Sequence, residues 1–309
     1  VRVRRIGICG TDIHAYRGKQ PFFNYPRILG HELGVEIVAI EANDRGLAVG
    51  DRCAVEPYLN CGSCIACRRG KTNCCVKLEV LGVHVDGGMR EYMTVPIEKL
   101  HKSAKLSWDQ LALVEMLTIG AHAVRRAQLE PGENVLVIGA GPIGLSVISF
   151  AQRAGANVIV LEISRERLDF CRGELGVEHY LDGTQDPAEA LKAMLSGDLP
   201  TTVFDATGNA TSMMNAFHYV AHGGKLVLVG LVQGDITFHD PDFHRRELTV
   251  LSSRNATGED FIQVLQALEE GDIDVTAWIT HRAPLEELID QYPRWLEPGS
   301  GLIKAVVEI

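Results

Sequence analysis

The stretch 135–144 constrains the fold of this chain more than any other part of it. Aliphatic residues at 135–138 predict a buried strand, and three glycines at G-x-G-x-x-G spacing lead from it into an apolar helical pattern. The first glycine permits a tight turn, and the second lets a pyrophosphate approach the backbone. The third lets the helix pack closely on the strand. A diphosphate can therefore bind the N–H groups at the helix N-terminus. The alternative is a plain structural turn. The residues predicted to bind a dinucleotide here are Gly139, Gly141, Pro142, Ile143 and Gly144.

An acidic residue follows the second predicted strand, 157–161. Glu162 stands about 20 residues after the first glycine, which is the offset of an acid that binds the adenosine ribose. Its carboxylate would repel a 2′-phosphate, so we predict NAD in preference to NADP. Arg165 and Arg167 come next, on a predicted amphipathic helix. Both are expected to be solvated surface charges, and the alternative for Arg167 is a contact with the cofactor. The residues expected near the nicotinamide ribose, after the next two strands, are Thr207, Gly230 and Leu231.

Strands and helices alternate over the predicted domain 117–254. The strands are expected at 135–138, 157–161, 202–205, 225–230 and 248–252, and the helices at 143–154, 164–174, 187–196 and 210–221. Alternation of this kind predicts right-handed βαβ units and a doubly wound parallel sheet of the α/β class.

The remainder, 1–116 and 255–309, is predicted to form a second domain. Short β-type runs such as 35–40 and 52–55, separated by glycine turns, indicate an irregular β-rich structure. The tail reads as a helix at 259–270, then loops, then a strand at 302–309 that returns to this domain. Residues 1–6 already read as a strand, so we expect a further segment before Val1.

The charge balance disfavours an extended basic surface of the kind that follows a nucleic-acid backbone. The chain has 30 Lys and Arg against 40 Asp and Glu, a formal net charge of -10, so nucleic acid is not an expected partner. Its longest apolar run, 135–151, is too short and too interrupted by glycine and proline to cross a membrane.

Five of the eight cysteines crowd into residues 61–75. Short C-x-x-C steps aim neighbouring sulfurs at one point, as a tetrahedral site with four thiolate ligands requires. This spacing therefore predicts a structural zinc ion bound by Cys61, Cys64, Cys67 and Cys75, and Cys74 is an alternative to Cys75 as the fourth ligand. The other interpretation is a set of reduced cysteines without metal. Thiolate ligation favours a reducing compartment, and we expect the cytoplasm.

A second group contains Cys9, His31 and Glu32. A thiolate, an imidazole and a carboxylate can bind zinc and leave a fourth position for water or a substrate oxygen. Spacing alone does not separate this interpretation from purely structural Cys and His residues.

These motifs resemble the zinc-dependent medium-chain dehydrogenases. The segments 7–14, 29–32, 61–75 and 139–144 match that family in order along essentially the whole chain. Within it, the chain is most similar to the sorbitol, threonine and sugar-acid branch, and segments 21–27, 81–88 and 253–257 are similar to enzymes of the L-galactonate type. The resemblance implies a GroES-like β-rich catalytic domain (1–116 and 255–309) and an NAD-binding Rossmann domain (117–254), in a homodimer or homotetramer.

The resemblance also implies roles around a catalytic zinc ion. Cys9 and His31 would bind it, and Glu32 would be a ligand or an exchangeable one. Glu115 stands where the family has its third protein ligand or the carboxylate that holds the zinc-bound water, although Met116 replaces the usual proline there. Two zinc ions per chain are expected.

Further residues have implied roles near the substrate. Thr11 would accept the alcohol proton and His14 would relay it, unless His14 is an ordinary surface histidine. Asp12 would orient His31, or would only cap a turn. Arg254 would reach the substrate, or form an ion pair at the domain boundary. Looser candidates for hydroxyl recognition are Tyr16, His84 and Asp86.

The function expected from these features is zinc-dependent hydride transfer to NAD from a secondary alcohol. The substrate would be a polyol, a sugar acid of the L-galactonate type or a hydroxy amino acid, with L-threonine 3-dehydrogenase or sorbitol dehydrogenase activity as alternatives. Two other classes compete with an enzyme: a non-catalytic NAD-binding regulator and an interaction module stabilised by zinc.

Overall fold

The computed structural model of this protein describes residues 1–19, 23–297 and 299–309. The first two residues of the segment 21–27 lie outside this described part. The chain divides into two compact units, Val1–Thr118 with Asn255–Ile309 and Ile119–Arg254. We call these the first and the second unit.

Short strands predominate before residue 107, and strands alternate with helices from residue 134 onward. The strands are β1 (Arg2–Ile8), β2 (Glu32–Glu36), β3 (Arg52–Val55), β4 (Tyr58–Leu59), β5 (Glu79–Val80), β6 (Leu100–Lys102), β7 (Asn134–Ile138), β8 (Asn157–Glu162), β9 (His179–Asp182), β10 (Thr202–Asp205), β11 (Lys225–Leu228), β12 (Thr249–Ser252), β13 (Ile279–Pro284) and β14 (Lys304–Glu308). The helices are α1 (Gly10–Tyr16), α2 (Ile65–Arg68), α3 (Trp108–Ala127), α4 (Pro142–Arg153), α5 (Arg165–Glu174), α6 (Ala188–Met194), α7 (Ala210–Ala216), α8 (Asp240–Arg245), α9 (Gly258–Glu270) and α10 (Leu288–Trp295).

The first unit is built on a six-stranded sheet in the order β13-β14-β1-β2-β3-β6. Its central strand β1 pairs antiparallel with β2 on one side and with β14 on the other. The last strand, β14, thus lies in the first unit, beside β1. Residues of β1 such as Val3 and Ile6 are fully buried and pack with Leu33 and Val307 in one core.

The start of α3 packs closely on β2. A Cβ at Gly34 would lie 2.6 Å from the carbonyl oxygen of Trp108, so only glycine fits without a shift of the helix. This close approach brings Glu115, two turns further along α3, toward the part of β2 that begins at Glu32.

The second unit has a six-stranded sheet in the order β12-β11-β10-β7-β8-β9, and every pairing in it is parallel. This confirms the predicted doubly wound α/β fold. The strand order reverses at β7, where β8 lies on one side and β10 on the other. In such sheets ligands bind beyond the carboxyl ends of the strands at this switch point.

Some sequence-based predictions of elements were wrong. The segment between 271 and 301, expected to be loops, contains β13 and α10, and Tyr292 and Trp295 of α10 are buried in the first unit's core. The strand expected at 35–40 is β2, which begins at Glu32 and ends at Glu36. β9, α8 and the 20-residue α3 were not predicted.

Over the described residues, helices long and apolar enough to cross a membrane are absent.

Candidate metal centres and nucleotide site

Four cysteine sulfurs converge in the first unit. The Sγ atoms of Cys61, Cys64, Cys67 and Cys75 lie within 4.8 Å of one another. Cys64 caps the short helix α2 and Cys67 lies within it, so one helical turn directs both sulfurs to the same point. Cys74 is exposed and does not belong to the group found in the described part of the chain. Of the two alternatives that spacing left open, the geometry favours Cys75.

Hydrogen-bond donors point at these sulfurs. Cys75 Sγ accepts from the backbone N–H of Cys61 at 3.3 Å, and Cys67 Sγ accepts from Asn60 Nδ2 at 3.7 Å. Backbone N–H groups, that of Ser63 foremost, lower the pKa of Cys61 to about 6. Such donors stabilise the thiolate, which is the form that binds zinc. Four sulfur ligands fit a zinc ion and leave it no open position.

A second group of ligand atoms converges where β1 ends and β2 begins. The Sγ of Cys9 and one atom each from His31 and Glu32 lie within 4.8 Å of one another. Cys9 directly follows β1 and caps α1, and Glu32 is the first residue of β2. A Cβ at Gly7, which pairs with Glu32 across the two strands, would lie 2.0 Å from the Glu32 carboxylate. Glycine at this position therefore makes room for the carboxylate.

This second group attracts a cation. His31 is 6% exposed, and its Nδ1 has no hydrogen-bond partner among the described residues, since Asp12 Oδ1 is 3.8 Å away. Burial disfavours the imidazolium, yet the charges of Asp12 and Cys9 raise the pKa of His31 well above its usual value. Thiolate, imidazole and carboxylate are zinc ligands, and three of them leave one position open. The residues therefore fit a catalytic zinc ion.

Lys304 is a member of this site that the sequence did not reveal. Its Nζ contacts both carboxylate oxygens of Glu32 and donates to the carbonyl oxygen of Ile8 at 3.0 Å. Lys304 is 2% exposed and Glu32 is fully buried. Although burial opposes the ammonium charge, Glu32 and Cys9 raise the pKa of Lys304. A cation held by Cys9 and His31 would therefore share Glu32 with Lys304.

Glu115 lies in the buried middle of α3 and has one hydrogen-bond partner for its carboxylate among the described residues. Tyr58 donates its hydroxyl to Glu115 Oε1. Burial raises the pKa of Glu115, and burial together with this carboxylate raises the pKa of Tyr58. Glu115 does not belong to the group of ligand atoms formed by Cys9, His31 and Glu32.

Asp12 holds the backbone on both sides of this group. Its Oδ2 accepts from the N–H of Cys9 at 2.9 Å, and its Oδ1 accepts from the N–H of Gly30 at 3.4 Å. Asp12 thus caps α1 and also fixes the residues next to the ligands. On the same helix, Thr11 is half-buried and His14, one turn later, is exposed.

The three remaining candidates for recognition of substrate hydroxyls contact other residues of the first unit. His84 Nδ1 accepts from a backbone N–H of its own turn at 3.1 Å. Asp86 is exposed and forms an ion pair with Arg27 at 3.1 Å. Tyr16 packs edge-on against Tyr292 with ring centroids 4.9 Å apart. These contacts give each residue a structural role within the first unit.

The glycine-rich loop of the second unit connects β7 to α4. Gly139 has a φ of +93°, a conformation that favours glycine. A Cβ at Gly144 would lie 1.9 Å from the carbonyl oxygen of Gly139, so the helix can approach the loop only with glycine there. Gly141 caps α4, with Pro142 as the first helical residue. Among the described residues other than its own chain neighbours and helix backbone, a Cβ at Gly141 would come within 4 Å only of Nη1 of Arg167, at 3.6 Å.

Glu162 binds the backbone around this loop. Its Oε2 accepts from the N–H of Ala140 at 2.6 Å, and its Oε1 accepts from the N–H groups of Ile163 and Ser164 at 2.8 and 2.9 Å. The residue is 6% exposed. Glu162 therefore has a structural role beyond the ribose contact expected from the sequence.

A cavity of about 910 Å³ opens beside the loop. Its lining includes Gly139, Gly141, Glu162, Arg167 and Thr207. The volume lies in the range of small-molecule and cofactor sites. The glycine-rich loop, the acid and the arginine predicted from the sequence are thus brought together at one site.

Other predicted cofactor residues lie outside the lining of this cavity. Gly230 and Leu231 follow β11, and a Cβ at Gly230 would lie 2.3 Å from the backbone nitrogen of Gly208, so Gly230 allows a close backbone approach. Leu231 is 74% exposed. Arg254, which was expected to reach the substrate, is also exposed and comes shortly after β12. Ile143 and Gly144 lie in the first turn of α4.

The two parts of the chain match two family models. Residues 1–105 match the alcohol dehydrogenase GroES-like domain, and residues 142–270 match the zinc-binding dehydrogenase family.

The chain is also similar to curated proteins over almost its whole length. It is 44% identical to L-galactonate-5-dehydrogenase of Escherichia coli K12, over 99% of this chain and 90% of that protein. It is 31% identical to L-arabinitol 4-dehydrogenase of Hypocrea jecorina, over 100% of this chain and 84% of that protein.

A solved structure shares the fold. The Escherichia coli CFT073 alcohol dehydrogenase RspB, complexed with NADH, has a TM-score of 0.92 and 31% identity, over 100% of this chain and 91% of that one. With both domain models and these relatives in agreement, the chain belongs to the zinc-type medium-chain alcohol dehydrogenase family.

Proposed function

We propose that this protein oxidises a secondary alcohol of a sugar acid or polyol with NAD, using a catalytic zinc ion bound by Cys9, His31 and Glu32. The observation that carries the proposal is the convergence of these three ligand types on one point, next to a buried imidazole nitrogen without a hydrogen-bond partner in the described part of the chain. A second zinc ion, bound by the four-cysteine group, would serve only to stabilise the fold.

Each part of the proposed site has one task. A bound zinc ion supplies a Lewis acid that lowers the pKa of the substrate hydroxyl, and NAD supplies the hydride acceptor. Thr11 accepts the proton of that hydroxyl as it releases its own, and His14, one helical turn later and exposed, takes up the released proton and passes it to solvent. Asp12 keeps Cys9 in place through the backbone hydrogen bond to its N–H. Lys304 balances the charge of Glu32.

The second unit would bind NAD in its 910 Å³ cavity. The N-terminus of α4 and the guanidinium of Arg167, close to Gly141, offer positive charge to a pyrophosphate. Glu162 keeps one unused lone pair, on Oε2, for a ribose hydroxyl, since each oxygen of a carboxylate can accept two hydrogen bonds and Oε1 already accepts two. Its negative charge disfavours the 2′-phosphate of NADP.

Sugar acids are the first substrate class in this proposal. The support is the 44% identity with an enzyme named for L-galactonate, and the polyol class follows from the relative named for L-arabinitol. Arg254 is proposed to reach the substrate. We further propose that the protein works in the cytoplasm as a homodimer or homotetramer.

The test is a substrate panel. Purified protein is given NAD or NADP with L-galactonate, other aldonates, sorbitol, L-arabinitol and L-threonine, and NAD(P)H absorbance is followed. We expect the highest kcat/KM for an aldonate with NAD. Preference for NADP would contradict the role of Glu162, and no turnover of any secondary alcohol by protein that contains two zinc ions would contradict the proposed activity.

A further inference from the structure

The hydrogen bond between Tyr58 and Glu115 is not used by the proposed function. The two residues are 57 positions apart in the sequence, and both are nearly inaccessible to solvent, with Tyr58 2% and Glu115 5% exposed. A tyrosine hydroxyl buried beside a carboxylate donates a charge-assisted hydrogen bond, which is stronger than one between neutral groups.

This bond makes the two oxygens of Glu115 different. Oε1 accepts from Tyr58, while Oε2 has no hydrogen-bond partner among the described residues. Glu115 also stays outside the group of ligand atoms formed by Cys9, His31 and Glu32. The close packing of α3 on β2 and the effect of the His31 and Glu32 charges on the pKa of Glu115 place this carboxylate near the zinc ligands, although it does not join them.

Aromatic contacts fix the ring of Tyr58. Phe261 of α9 meets it edge-on, with ring centroids 6.3 Å apart and planes at 72°. Phe261 in turn stacks on His101, with centroids 4.7 Å apart and planes at 17°. His101 Nε2 lies 3.1 Å from Glu56 Oε2, and Glu56 is two residues before Tyr58 on the same segment.

The other end of this segment is fixed as well. Lys99 Nζ donates to Glu56 Oε1 at 2.5 Å and to Asn60 Oδ1 at 3.0 Å. Asn60 Nδ2 donates to Cys67 Sγ at 3.7 Å, so residues 56–60 are tied to the four-cysteine group. Tyr58 is therefore held from both sides, and its hydroxyl has little freedom to follow a carboxylate that moves.

We propose that Tyr58 is a positioning residue, whose hydroxyl holds Glu115 out of the ligand set so that one coordination position stays open for the alcohol. This inference rests on the proposed function, because it assumes a metal ion bound by Cys9, His31 and Glu32. Without the hydroxyl, Oε1 of Glu115 is buried with no partner beside a cation, and the attraction draws the carboxylate onto the metal.

The experiment uses Co²⁺ as a spectroscopic probe in the whole protein. Co²⁺ is exchanged into the Cys9 site while the four-cysteine site keeps zinc, and elemental analysis verifies the loading. Visible d–d spectra are compared for wild type, Tyr58→Phe, Glu115→Ala and the double variant. Tyr58→Phe keeps the ring contact with Phe261. Tyr92→Phe, which removes an exposed hydroxyl from the same unit, is the control.

Tyr58→Phe is expected to shift the d–d bands, because a carboxylate oxygen of Glu115 then takes the coordination position that is open to solvent or substrate in the wild type. Glu115→Ala and the double variant are expected to retain the wild-type spectrum, because in them no carboxylate is present to move. In zinc-loaded protein, Tyr58→Phe should lower kcat/KM about tenfold or more, the lower end of what a hydrogen bond to a charged group contributes.

Three results would overturn the proposal. One is an unchanged spectrum in folded Tyr58→Phe, and another is the same spectral change in the double variant as in Tyr58→Phe. The third, which does not depend on how well Tyr58→Phe folds, is an altered spectrum in Glu115→Ala, since Glu115 would then be a ligand. The spectra are independent of turnover, so an inactive wild type would refute the proposed function and leave this test intact.

Discussion

Removal of the buried ammonium group of Lys304 should destabilise the first unit strongly. In Lys304→Met, the carboxylate of Glu32 stays fully buried and loses the only cation in contact with it in the described part of the chain. The carbonyl oxygen of Ile8 also loses a hydrogen-bond donor. Loss of one partner from a buried ion pair costs about 3–5 kcal/mol, and we expect a value in this range for protein without metal at the Cys9 site.

The loss should be smaller when zinc is bound, because a cation next to Glu32 replaces part of the missing charge. The assay is thermal unfolding of the zinc-loaded protein and of protein treated with a chelator that empties the Cys9 site. For units of this size, Tm changes by about 2–4 °C per kcal/mol, so Tm should fall by about 6–20 °C without the metal. Lys304→Arg keeps the charge and should lose less.

The control is an exposed pair in the same unit. Lys102 pairs with Asp51 at 2.8 Å, but its side chain is 41% exposed. Lys102→Met should therefore cost at most about 1 kcal/mol. A loss of stability in Lys304→Met no larger than that in Lys102→Met would contradict a buried ion pair between Lys304 and Glu32. So would an equal loss of stability from Lys304→Met in a Glu32→Gln background and in wild type.

Three further predictions concern single positions. Cys75→Ser should reduce the zinc content from two ions per chain to one, while Cys74→Ser should leave it at two; equal losses in both variants would contradict the ligand assignment. Glu162→Ala should weaken NAD binding more than NADP binding in calorimetric titrations, and an equal loss would argue against contact with the ribose. Gly144→Ala should destabilise the protein or abolish folding, because the new Cβ meets a carbonyl oxygen at 1.9 Å. Gly173→Ala lies in a helix with open space around the new Cβ and should stabilise the protein by up to about 1 kcal/mol in denaturant titrations. A larger loss of stability in Gly173→Ala than in Gly144→Ala would contradict the packing at Gly144.

The fold of the second unit could be predicted because its signals are local. Three predicted apolar runs, at 135–138, 157–161 and 202–205, are each followed by a predicted helix, and each pair corresponds to one strand and one helix of the structure. The predicted strand at 202–205 matches β10 residue for residue. β9 escaped prediction because it is half-exposed and carries His179 and Asp182 at its ends, so it lacks an apolar run.

The first unit shows the limit of such signals. β13 lies at the edge of its sheet and contains three consecutive polar residues, 280–282, so it lacks the apolar alternation of a half-buried strand. Its parallel neighbour β14 begins 20 residues after β13 ends, so only the fold reveals the pairing. The two spacing motifs, around Cys9 and Cys61, identified groups that do converge in the structure.

Partners from distant parts of the chain could not be predicted. Lys304 reaches Glu32 over 272 positions, and Tyr58 reaches Glu115 over 57. The one available signal for Lys304 was a lysine followed by three apolar residues within the strand predicted at 302–309. A charged residue in such a strand needs a buried partner of opposite charge, and the sequence does not say which one.

The central claim is that the zinc ion held by Cys9 activates the alcohol while a separate site holds NAD. The most direct measurement is turnover, NAD affinity and zinc content in Cys9→Ala. In this variant, turnover with the preferred substrate should disappear, zinc should fall from two ions per chain to one, and the Kd for NAD should stay within a few-fold of the wild-type value. Wild-type turnover in a variant that has lost this zinc ion would contradict a role of the metal in activating the alcohol.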